Sequence, residues 1–506
     1  MFIELFILLI VLISVYEILF YIQNRPFFLL AKQLNGPISL PILGNAHLFR
    51  GTTQDILTMI KYLMHKYQSP MKLWFAYRYY TVVFEPQHVE IVLNKALEKD
   101  KTYELTIPWT GTGLFAAPVS KWRVHRKIIQ PTFNMKMIES FMDVFVIQSE
   151  ILVKILEKQL TKNSFDVFKY MSPCTLDIIC ETAMGYKISA QLGGNTEYVH
   201  RAMRQLKIEF ERITKVWLQK DFIFNLTAVG REQKENVKFL HSITDNVIKK
   251  KMGEYMQRRQ KTYQEENHED NDDGLFSRRK AFLDYLIELG DSGFKFSETN
   301  LREEVDTMMI AGNDTTASVN SFVLMVLGMY QDIQEKVYEE IYDIFGESDR
   351  PCTNEDVKRM TYLEMVIKET MRIFPPGAVI MRSITTDLKL TDTITLPKNS
   401  GAIIGIIAIH HSPKIYPNPY KFDPNRFLPE EIAKRHPYSF LPFSGGPRNC
   451  IGLKYAYQSM KCVLSTILRS YRIYSNENIE TIPLKLEIFM KPVNGYQIRI
   501  EKRRKL

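Results

Sequence analysis

The longest run of mostly apolar positions lies at the start of the chain. Residues 1–22 read MFIELFILLIVLISVYEILFYI, and about 20 apolar residues are enough to cross a lipid bilayer. Glu4 and Glu17 lie near the ends of this run, where a charge is tolerated best. Lysine and arginine are absent before Arg25, whereas a secretory signal begins with basic residues. The pattern predicts a membrane anchor over residues 1–24, with a buried core helix as the alternative.

The pattern of apolar positions changes after this run. Residues 25–50 contain NGPISLPILGN, which predicts a Pro/Gly hinge and basic linker. Residues 71–86 alternate and are rich in aromatic and β-branched side chains, which predicts a pair of strands. Residues 118–251 have mainly helical periodicity. Residues 258–280 are polar with an acidic centre and predict a mobile surface loop between two helical flanks.

The second half of the chain alternates between helical and irregular patterns. Ser297 is a plausible N-cap for a long helix that ends near Gln331. A further helix is expected from Asn354 to Ile373, and another from Ile451 to about Arg472, before a β-rich tail. Residues 381–410 predict short strands and turns, and residues 411–446 are mostly irregular.

Together these elements predict a mainly α protein with a minor β region, an α+β fold, with a single large domain over residues 51–506. The 506 residues are 45% apolar and 24% charged, which is normal for a globular protein with a large core. The net charge of +9 is spread along the chain without a Lys/Arg block, so a nucleic-acid partner is not expected. A membrane surface or an acidic protein partner is favoured instead.

The five cysteines do not indicate a disulfide framework or a zinc site. Their number is odd, and no CxxC pair or Cys/His cluster occurs. Cys174 and Cys180 lie in the apolar stretch CTLDIICETAMG and are expected to be buried thiols in a reducing compartment.

One cysteine lies in an unusual loop. Residues 442–452, PFSGGPRNCIG, contain three glycines, two prolines and one arginine around a single thiol. They fit F-x-x-G-x-R-x-C-x-G, a pattern expected by chance on the order of once in ten thousand chains of this length. The alternative is a Gly-Pro turn with an incidental buried cysteine. The matching residues are Phe443, Gly446, Arg448, Cys450 and Gly452.

This pattern resembles the haem-binding signature of the cytochrome P450 superfamily. The resemblance implies the fold of that family and a haem b whose iron takes the Cys450 thiolate as axial ligand, an arrangement that favours O–O cleavage. Gly445, Gly446 and Gly452 are expected to bring the backbone close to the sulfur and the porphyrin. Phe443 would shield the sulfur from water, and Arg448 would pair with a haem propionate.

The long helix carries a second motif, IAGNDTTAS, at residues 310–318. Gly312 in a helix interior costs roughly 1 kcal/mol relative to alanine, which is understandable if the helix opens a gap there. Asp314 and Thr315 resemble the acid–alcohol pair with which the family handles protons and dioxygen. On its own, such a stretch is more often a solvated turn or cap.

Two further motifs are expected to support the haem. In ETMR, Glu369 and Arg372 lie on one helix face, and the family buries such a pair with a third charge, here Arg426 of FDPNRF. On a protein surface the same pair would contribute little. In KWRVHRK, Trp122 and Arg126 match a propionate contact. The resemblance implies that Arg382 is a further propionate partner, and it gives His125 no role. It also implies that three cations lie on the proximal face, the side near the cysteine, where they would attract an acidic electron-transfer protein. These cations are Lys121, Arg123 and Lys127.

Several stretches resemble the family-4 clan, which is large in insects: PWTGTGL, KWRVHRKIIQPTF, LDIICETAMG and EVDTMMIAGNDTT. Many members of that clan carry a glutamate that forms an ester to a haem methyl. The corresponding residue here is Ala311, so the haem is predicted to be bound non-covalently. The candidate substrate contacts are Thr112, Leu114, Phe115, Met308, Met309, Ala311, Val379, Ile380 and Phe489. Each of them could equally well be a residue of the hydrophobic core.

The resemblance implies a membrane-bound monooxygenase. It would insert one oxygen atom from O2 into a lipophilic substrate such as a fatty acid, hormone precursor or xenobiotic. Electrons would come from NADPH through a flavoprotein reductase, with cytochrome b5 as a second donor. Arg25, Lys32 and Arg50 follow the anchor, which places the catalytic domain in the cytosol, on the endoplasmic reticulum membrane. The alternatives are a peroxide-rearranging haem-thiolate enzyme, which tends to lack the acid–alcohol pair, and a haem protein that binds lipophiles without turnover.

Overall fold

The computed structural model describes residues 2–194, 196–265, 281–292 and 296–503. Within these ranges the α-helices are α1 (Phe2–Gln23), α2 (Arg25–Gln33), α3 (Thr53–Lys66), α4 (Pro86–Lys95), α5 (Ile107–Thr110), α6 (Val119–Ile129), α7 (Met135–Glu139), α8 (Met142–Leu156), α9 (Phe168–Ile179), α10 (Thr196–Thr214), α11 (Asp221–Leu226), α12 (Ala228–Glu265), α13 (Phe282–Glu288), α14 (Glu298–Met329), α15 (Gln331–Phe345), α16 (Asn354–Arg359), α17 (Thr361–Ile373), α18 (Ile406–His410), α19 (Pro429–Ala433) and α20 (Leu453–Ser470). The strands are β1 (Met71–Phe75), β2 (Arg78–Val83), β3 (Phe165–Asp166), β4 (Ile380–Ser383), β5 (Leu388–Lys389), β6 (Thr395–Leu396), β7 (Gly401–Ile404), β8 (Tyr471–Tyr474), β9 (Leu484–Leu486), β10 (Met490–Pro492) and β11 (Gln497–Lys502).

Helix α14 runs through the centre of the main hydrophobic core. Ser297 caps it, because the Ser297 hydroxyl accepts a hydrogen bond from the backbone N–H of Asn300 at 3.1 Å. Most of its side chains are buried, and it packs against α9, α12, α17 and α20. The predicted long helix, including its start at Ser297, is confirmed.

The minor β region is built around one four-stranded sheet. Its strand order is β1-β2-β7-β4, with β2 and β7 parallel and the two outer pairs antiparallel. The predicted strand pair over residues 71–86 is confirmed as β1 and β2. Arg382 of β4 lies opposite Ala402 of β7, so the sheet fixes the position of this arginine. The other sheets are β3-β11-β8, β9-β10 and β5-β6.

The N-terminal helix α1 is long and apolar enough to cross a membrane, with a mean hydropathy of 2.7 and no buried residues in its most apolar stretch. Helix α2 packs against the domain: the Phe28 ring lies 4.9 Å from that of Trp74, and the Lys72 ammonium donates to the Ala31 carbonyl at 2.8 Å. The first part of the predicted linker therefore differs from expectation, because it is a helix attached to the sheet.

Three other elements differ from the prediction. The helix expected from Asn354 to Ile373 is divided into α16 and α17 at Met360, whose backbone is not helical. Residues 381–410 contain the expected short strands but also end in helix α18. The first part of the polar stretch 258–280 continues helix α12 to Glu265, and the rest of this predicted loop lies outside the described residues.

Candidate active site

An internal cavity of about 550 Å³ lies between α14, the loop of residues 442–452 and the four-stranded sheet. Its walls are mostly apolar. Cys450 faces this cavity and is accessible to solvent through it, whereas Cys174, Cys180, Cys352 and Cys462 are buried free thiols. The prediction that Cys174 and Cys180 are buried is confirmed. Cys450 is thus the one cysteine lining the cavity in the part of the chain that the structure describes.

The loop of residues 442–452, here named the cysteine loop, folds back on itself around the thiol. The backbone N–H of Cys450 donates to the Phe443 carbonyl at 3.0 Å. Gly446 has φ +68°, and a Cβ there would lie 2.5 Å from the Leu93 carbonyl oxygen on α4. Gly446 therefore allows the loop to pack on α4, rather than to approach the sulfur as the sequence predicted. Gly452 does lie beside the sulfur: a Cβ there would be 3.9 Å from Sγ.

Opposing influences act on the ionisation of the Cys450 thiol. Burial among protein atoms raises its pKa, while the backbone N–H of Gly452 and the positive charges of Arg126 and Lys99 lower it. A metal cation placed at the sulfur would lower the pKa further, in the same way as these positive charges, and so favour the thiolate. The surroundings of this thiol thus suit a metal-bound thiolate.

Four cations line the same cavity: Lys99, Arg126, Arg382 and Arg448. Arg448 donates to the carbonyls of Leu97 at 3.0 Å and Ala117 at 2.7 Å. No carboxylate of the described residues lies within 4 Å of any of the four, and the buried Nε of Arg382 has no hydrogen-bond partner there.

The close packing of these cations favours an anionic ligand. The pKa of Lys99 is well below its usual value because of burial and the charges of Arg382 and Arg448. The two propionates of a haem would supply the missing negative charge, so the residues present fit this group. Sequence reasoning found the three arginines but missed Lys99, which occurs in no recognisable motif.

Trp122 and Arg126 of α6 line the cavity beside the cysteine loop. Trp122 is buried, and its ring packs 5.0 Å from the guanidinium of Arg448. Arg126 donates to the backbone carbonyl of Asn449 at 2.9 Å and to its side-chain oxygen at 3.0 Å. This pair of bonds connects α6 to the residue just before Cys450.

On α14, Ala311, Gly312 and Thr315 line the cavity. The Thr315 hydroxyl donates to the Ala311 carbonyl at 2.5 Å. A Cβ at Gly312 would lie 2.7 Å from Cδ1 of Ile179. Glycine at this position therefore permits close packing of α14 on α9, a reason that differs from the gap expected from the sequence.

Asp314 does not line the cavity. It is buried, and its carboxylate accepts a hydrogen bond from the Lys491 ammonium of β10 at 2.8 Å. Its second oxygen, Oδ2, has no partner among the described residues. The sequence predicted Asp314 but not Lys491, because the two are brought together only by the packing of β10 against α14.

Most of the predicted substrate contacts line the cavity. They are Leu114, Phe115, Met308, Ala311, Val379, Ile380 and Phe489. The other two, Thr112 and Met309, are not in its lining. The Thr112 hydroxyl accepts from the Lys121 ammonium at 2.9 Å, and the Met309 Sδ accepts from the Tyr198 hydroxyl at 3.6 Å. The side chains of both residues contact neighbouring elements instead, so their role as substrate contacts stays a prediction.

The ETMR pair is completely buried. Arg372 donates to Glu369 through Nε at 2.7 Å and Nη2 at 2.9 Å, and through Nη1 to the His410 carbonyl at 2.8 Å. Arg426 approaches Glu369 to 3.5 Å. His410, whose pKa is well below normal because of burial, accepts from the backbone N–H of Leu441 at 2.8 Å. The network thus reaches the residue that precedes the cysteine loop.

Helix α6 is bound to α14 by two acids. The Lys121 ammonium lies 2.6 Å from Glu303, and His125 lies 2.6 Å from Glu304, which also accepts from the backbone N–H of Leu114 at 3.0 Å. The placement of Lys121 on a partner-docking face is therefore wrong, because its charge is engaged by α14. His125, to which the sequence gave no role, forms part of this connection. Arg123 and Lys127 are exposed.

The chain is similar to proteins of one family along nearly its whole length. A family model described as Cytochrome P450 matches residues 34–500. Cytochrome P450 4V2 of Homo sapiens is 38% identical over 473 residues, 92% of this chain and 88% of that protein. Cytochrome P450 4c21 of Blattella germanica is 37% identical and covers 99% of both chains. The crystal structure of the cytochrome P450DA heme domain, at 19% identity, has the same fold, with a TM-score of 0.78 and coverage of 93% of this chain and 98% of that one.

Proposed function

Since the chain belongs to the cytochrome P450 family and is a haem-thiolate monooxygenase, we propose that it is a membrane-anchored member that hydroxylates lipophilic molecules with electrons from an NADPH-dependent reductase. The observation that carries the proposal is the position of Cys450, which faces an apolar cavity beside four cations that have no carboxylate among the described residues. The haem, when bound, supplies the iron that activates dioxygen.

The protein's own residues divide the work of holding the cofactor. Cys450 is the metal ligand, and Phe443 and Gly452 surround its sulfur. The propionates would be bound by the cavity cations, of which Arg448 packs on the Trp122 ring. These cations are Lys99, Arg126, Arg382 and Arg448. Glu369, Arg372 and Arg426 fix the segment before the cysteine loop and have a structural role.

Thr315 and Asp314 are proposed to handle protons. The Thr315 hydroxyl lines the cavity, and by turning away from the Ala311 carbonyl it can donate its single proton to a molecule bound there. Asp314 is buried on the same helix, and its partnerless Oδ2 can accept a proton-carrying water. Lys491 holds the Asp314 carboxylate in place through this contact.

The haem is proposed to be non-covalent. Ala311 lines the cavity and has no carboxylate with which to form an ester to a haem methyl. Acid–organic extraction of the denatured protein should therefore release all of the haem, and haem that stays with the polypeptide would refute this proposal.

Helix α1 is consistent with anchoring in a membrane. A second exposed apolar group, Trp217, Phe222 and Leu226, supports contact of the catalytic domain with a lipid surface. We place the protein on the endoplasmic reticulum with this domain in the cytosol, because basic residues follow α1. The exposed Arg123 and Lys127 are proposed to attract the acidic surface of the reductase or of cytochrome b5.

Reductase-supported turnover tests the proposal. NADPH and O2 should be consumed on addition of substrate, with one oxygen atom incorporated into product. A peroxide-rearranging enzyme would need neither, and a binding protein would consume neither. In Thr315→Ala we expect haem to stay bound while most reducing equivalents are diverted to hydrogen peroxide. Thr316→Ala, the next residue on the same helix, should stay coupled. Equal coupling in both variants would contradict the role of Thr315.

A further inference from the structure

A carboxyl group lies in the wall of the cavity at a place that the haem contacts do not use. Glu209 belongs to α10, and it lines the cavity together with its neighbours Leu206, Phe210 and Ile213. It is only 2% exposed. A side chain of this kind is rarely buried without a partner.

The described residues give this carboxyl a single hydrogen bond and no ion pair. The Gln205 amide donates to Oε1 at 3.1 Å. Arg212, on the next turn, is directed elsewhere: its Nη2 lies 2.6 Å from Asp221, and its Nε donates to the Leu218 carbonyl. Burial raises the pKa of Glu209 to about 8, while Gln205 and Arg212 act to lower it. No described cation lies within ion-pair distance of this carboxyl, and its raised pKa keeps it largely protonated at neutral pH until a cation binds beside it.

The cations of the cavity are not available to it. Lys99, Arg126, Arg382 and Arg448 form the group assigned to the propionates. The other acid in the wall, Glu487, has its own cation, since Lys485 lies 3.3 Å away. Glu209 is thus the acid in the cavity wall that has no described cation of its own and that a bound cation could ionise and pair with.

The chemistry of the remaining wall indicates which molecule would do so. A bound protonated amine would lower the pKa of Glu209 and form a neutral ion pair with its carboxylate, whereas a bound carboxylate would leave a buried negative charge without a cation beside it. The aromatic rings of Phe49, Phe75 and Phe210 line the same cavity and also favour a cation over an anion. The apolar remainder of the wall suits a hydrocarbon chain.

We propose that Glu209 is a specificity-determining residue for a lipophilic amine substrate. The protonated nitrogen of the amine would donate a charge-assisted hydrogen bond to the Glu209 carboxylate. The proposal rests on the proposed function, since it names a substrate class for that same cavity. A fatty acid, whose carboxylate would meet no countercharge here, becomes the disfavoured substrate.

The test compares three twelve-carbon probes on the haem-loaded full-length protein at neutral pH: N,N-dimethyldodecylamine, dodecan-1-ol and dodecanoate. Dissociation constants are measured by equilibrium dialysis below micelle-forming concentrations. Wild type should bind the amine about tenfold or more tightly than the alcohol. Glu209→Gln should weaken amine binding by about tenfold and change alcohol binding less than about threefold, because it removes one charge-assisted bond.

The matched control is Glu211→Gln on the same helix, where the glutamate forms surface ion pairs with Lys215 and Arg204. It should leave all three dissociation constants unchanged. Equal loss of amine and alcohol binding in Glu209→Gln would overturn the proposal, as would a wild-type preference for dodecanoate.

Coordination of the amine to iron would also overturn it, and would appear as a red shift of the Soret band that persists in Glu209→Gln. A carbon monoxide difference spectrum of the same preparations reports thiolate ligation independently. Failure of this proposal is therefore distinguishable from failure of the proposed function.

Discussion

Replacing Glu369 by glutamine tests the buried network that supports the cysteine loop. Both Glu369 and Arg372 have completely buried side chains, and Glu369 accepts two bonds from Arg372 and one from the backbone N–H of Asp423 at 3.0 Å. The neutral amide keeps the shape of the side chain but leaves the Arg372 guanidinium without its counter-ion. Breaking a buried pair from one side typically costs about 3–5 kcal/mol. Because the Arg372–His410–Leu441 connection leads to the cysteine loop, haem retention should fall as well.

The assay is urea unfolding of the haem-loaded protein, followed by Soret absorbance and far-ultraviolet circular dichroism. We expect Glu369→Gln to lower the free energy of unfolding by about 3–5 kcal/mol. Glu431→Gln is the matched control, because Glu431 and Lys434 have the same spacing and a 2.6 Å contact at the surface. It should leave the unfolding midpoint unchanged. A loss below about 1 kcal/mol in Glu369→Gln would show that the pair does not hold this region together.

Two further predictions concern packing and pH. Gly446→Ala should lose haem and stability, since its Cβ would be 2.5 Å from the Leu93 carbonyl oxygen. Gly193→Ala, with a left-handed φ of +89° and open space around its Cβ, should lose only about 1–2 kcal/mol; similar urea midpoints would contradict the clash. Burial raises the pKa of Asp306 from 3.8 to about 8, so the folded protein keeps a proton that the unfolded chain releases. The free energy of unfolding should therefore decrease as the pH rises from about 4 to about 8, by up to about 1.4 kcal/mol per pH unit relative to the Asp306→Asn variant. Parallel stability–pH curves for the two proteins would refute this.

The sequence was most informative where function depends on residues close together in the chain. The cysteine loop, the ETMR pair and the cap of α14 are local patterns, so each could be recognised before the fold was known. The resemblance also predicted that Arg426 completes the ETMR network, and the structure brings it within 3.5 Å of Glu369.

Contacts between distant segments could not be predicted in this way. Lys491 reaches Asp314 across 177 positions, and nothing in the local sequence of either residue indicates the pair. The wrong placement of Lys121 has a related cause: the sequence gives the faces of α6 but not which element packs on each face. Glu209 belongs to an amphipathic helix whose buried face, and hence whose exposure to the cavity, is fixed only by tertiary packing.

The most direct test of haem-thiolate ligation through Cys450 is the carbon monoxide difference spectrum of the reduced protein. A thiolate ligand should give a Soret band strongly red-shifted from that of a histidine-ligated haem protein. The red shift should be absent in Cys450→His and retained in Cys462→Ser, a change at a buried thiol away from the cavity. A folded wild-type protein that binds haem without this shift, or a Cys450→His variant that keeps it, would contradict the assignment.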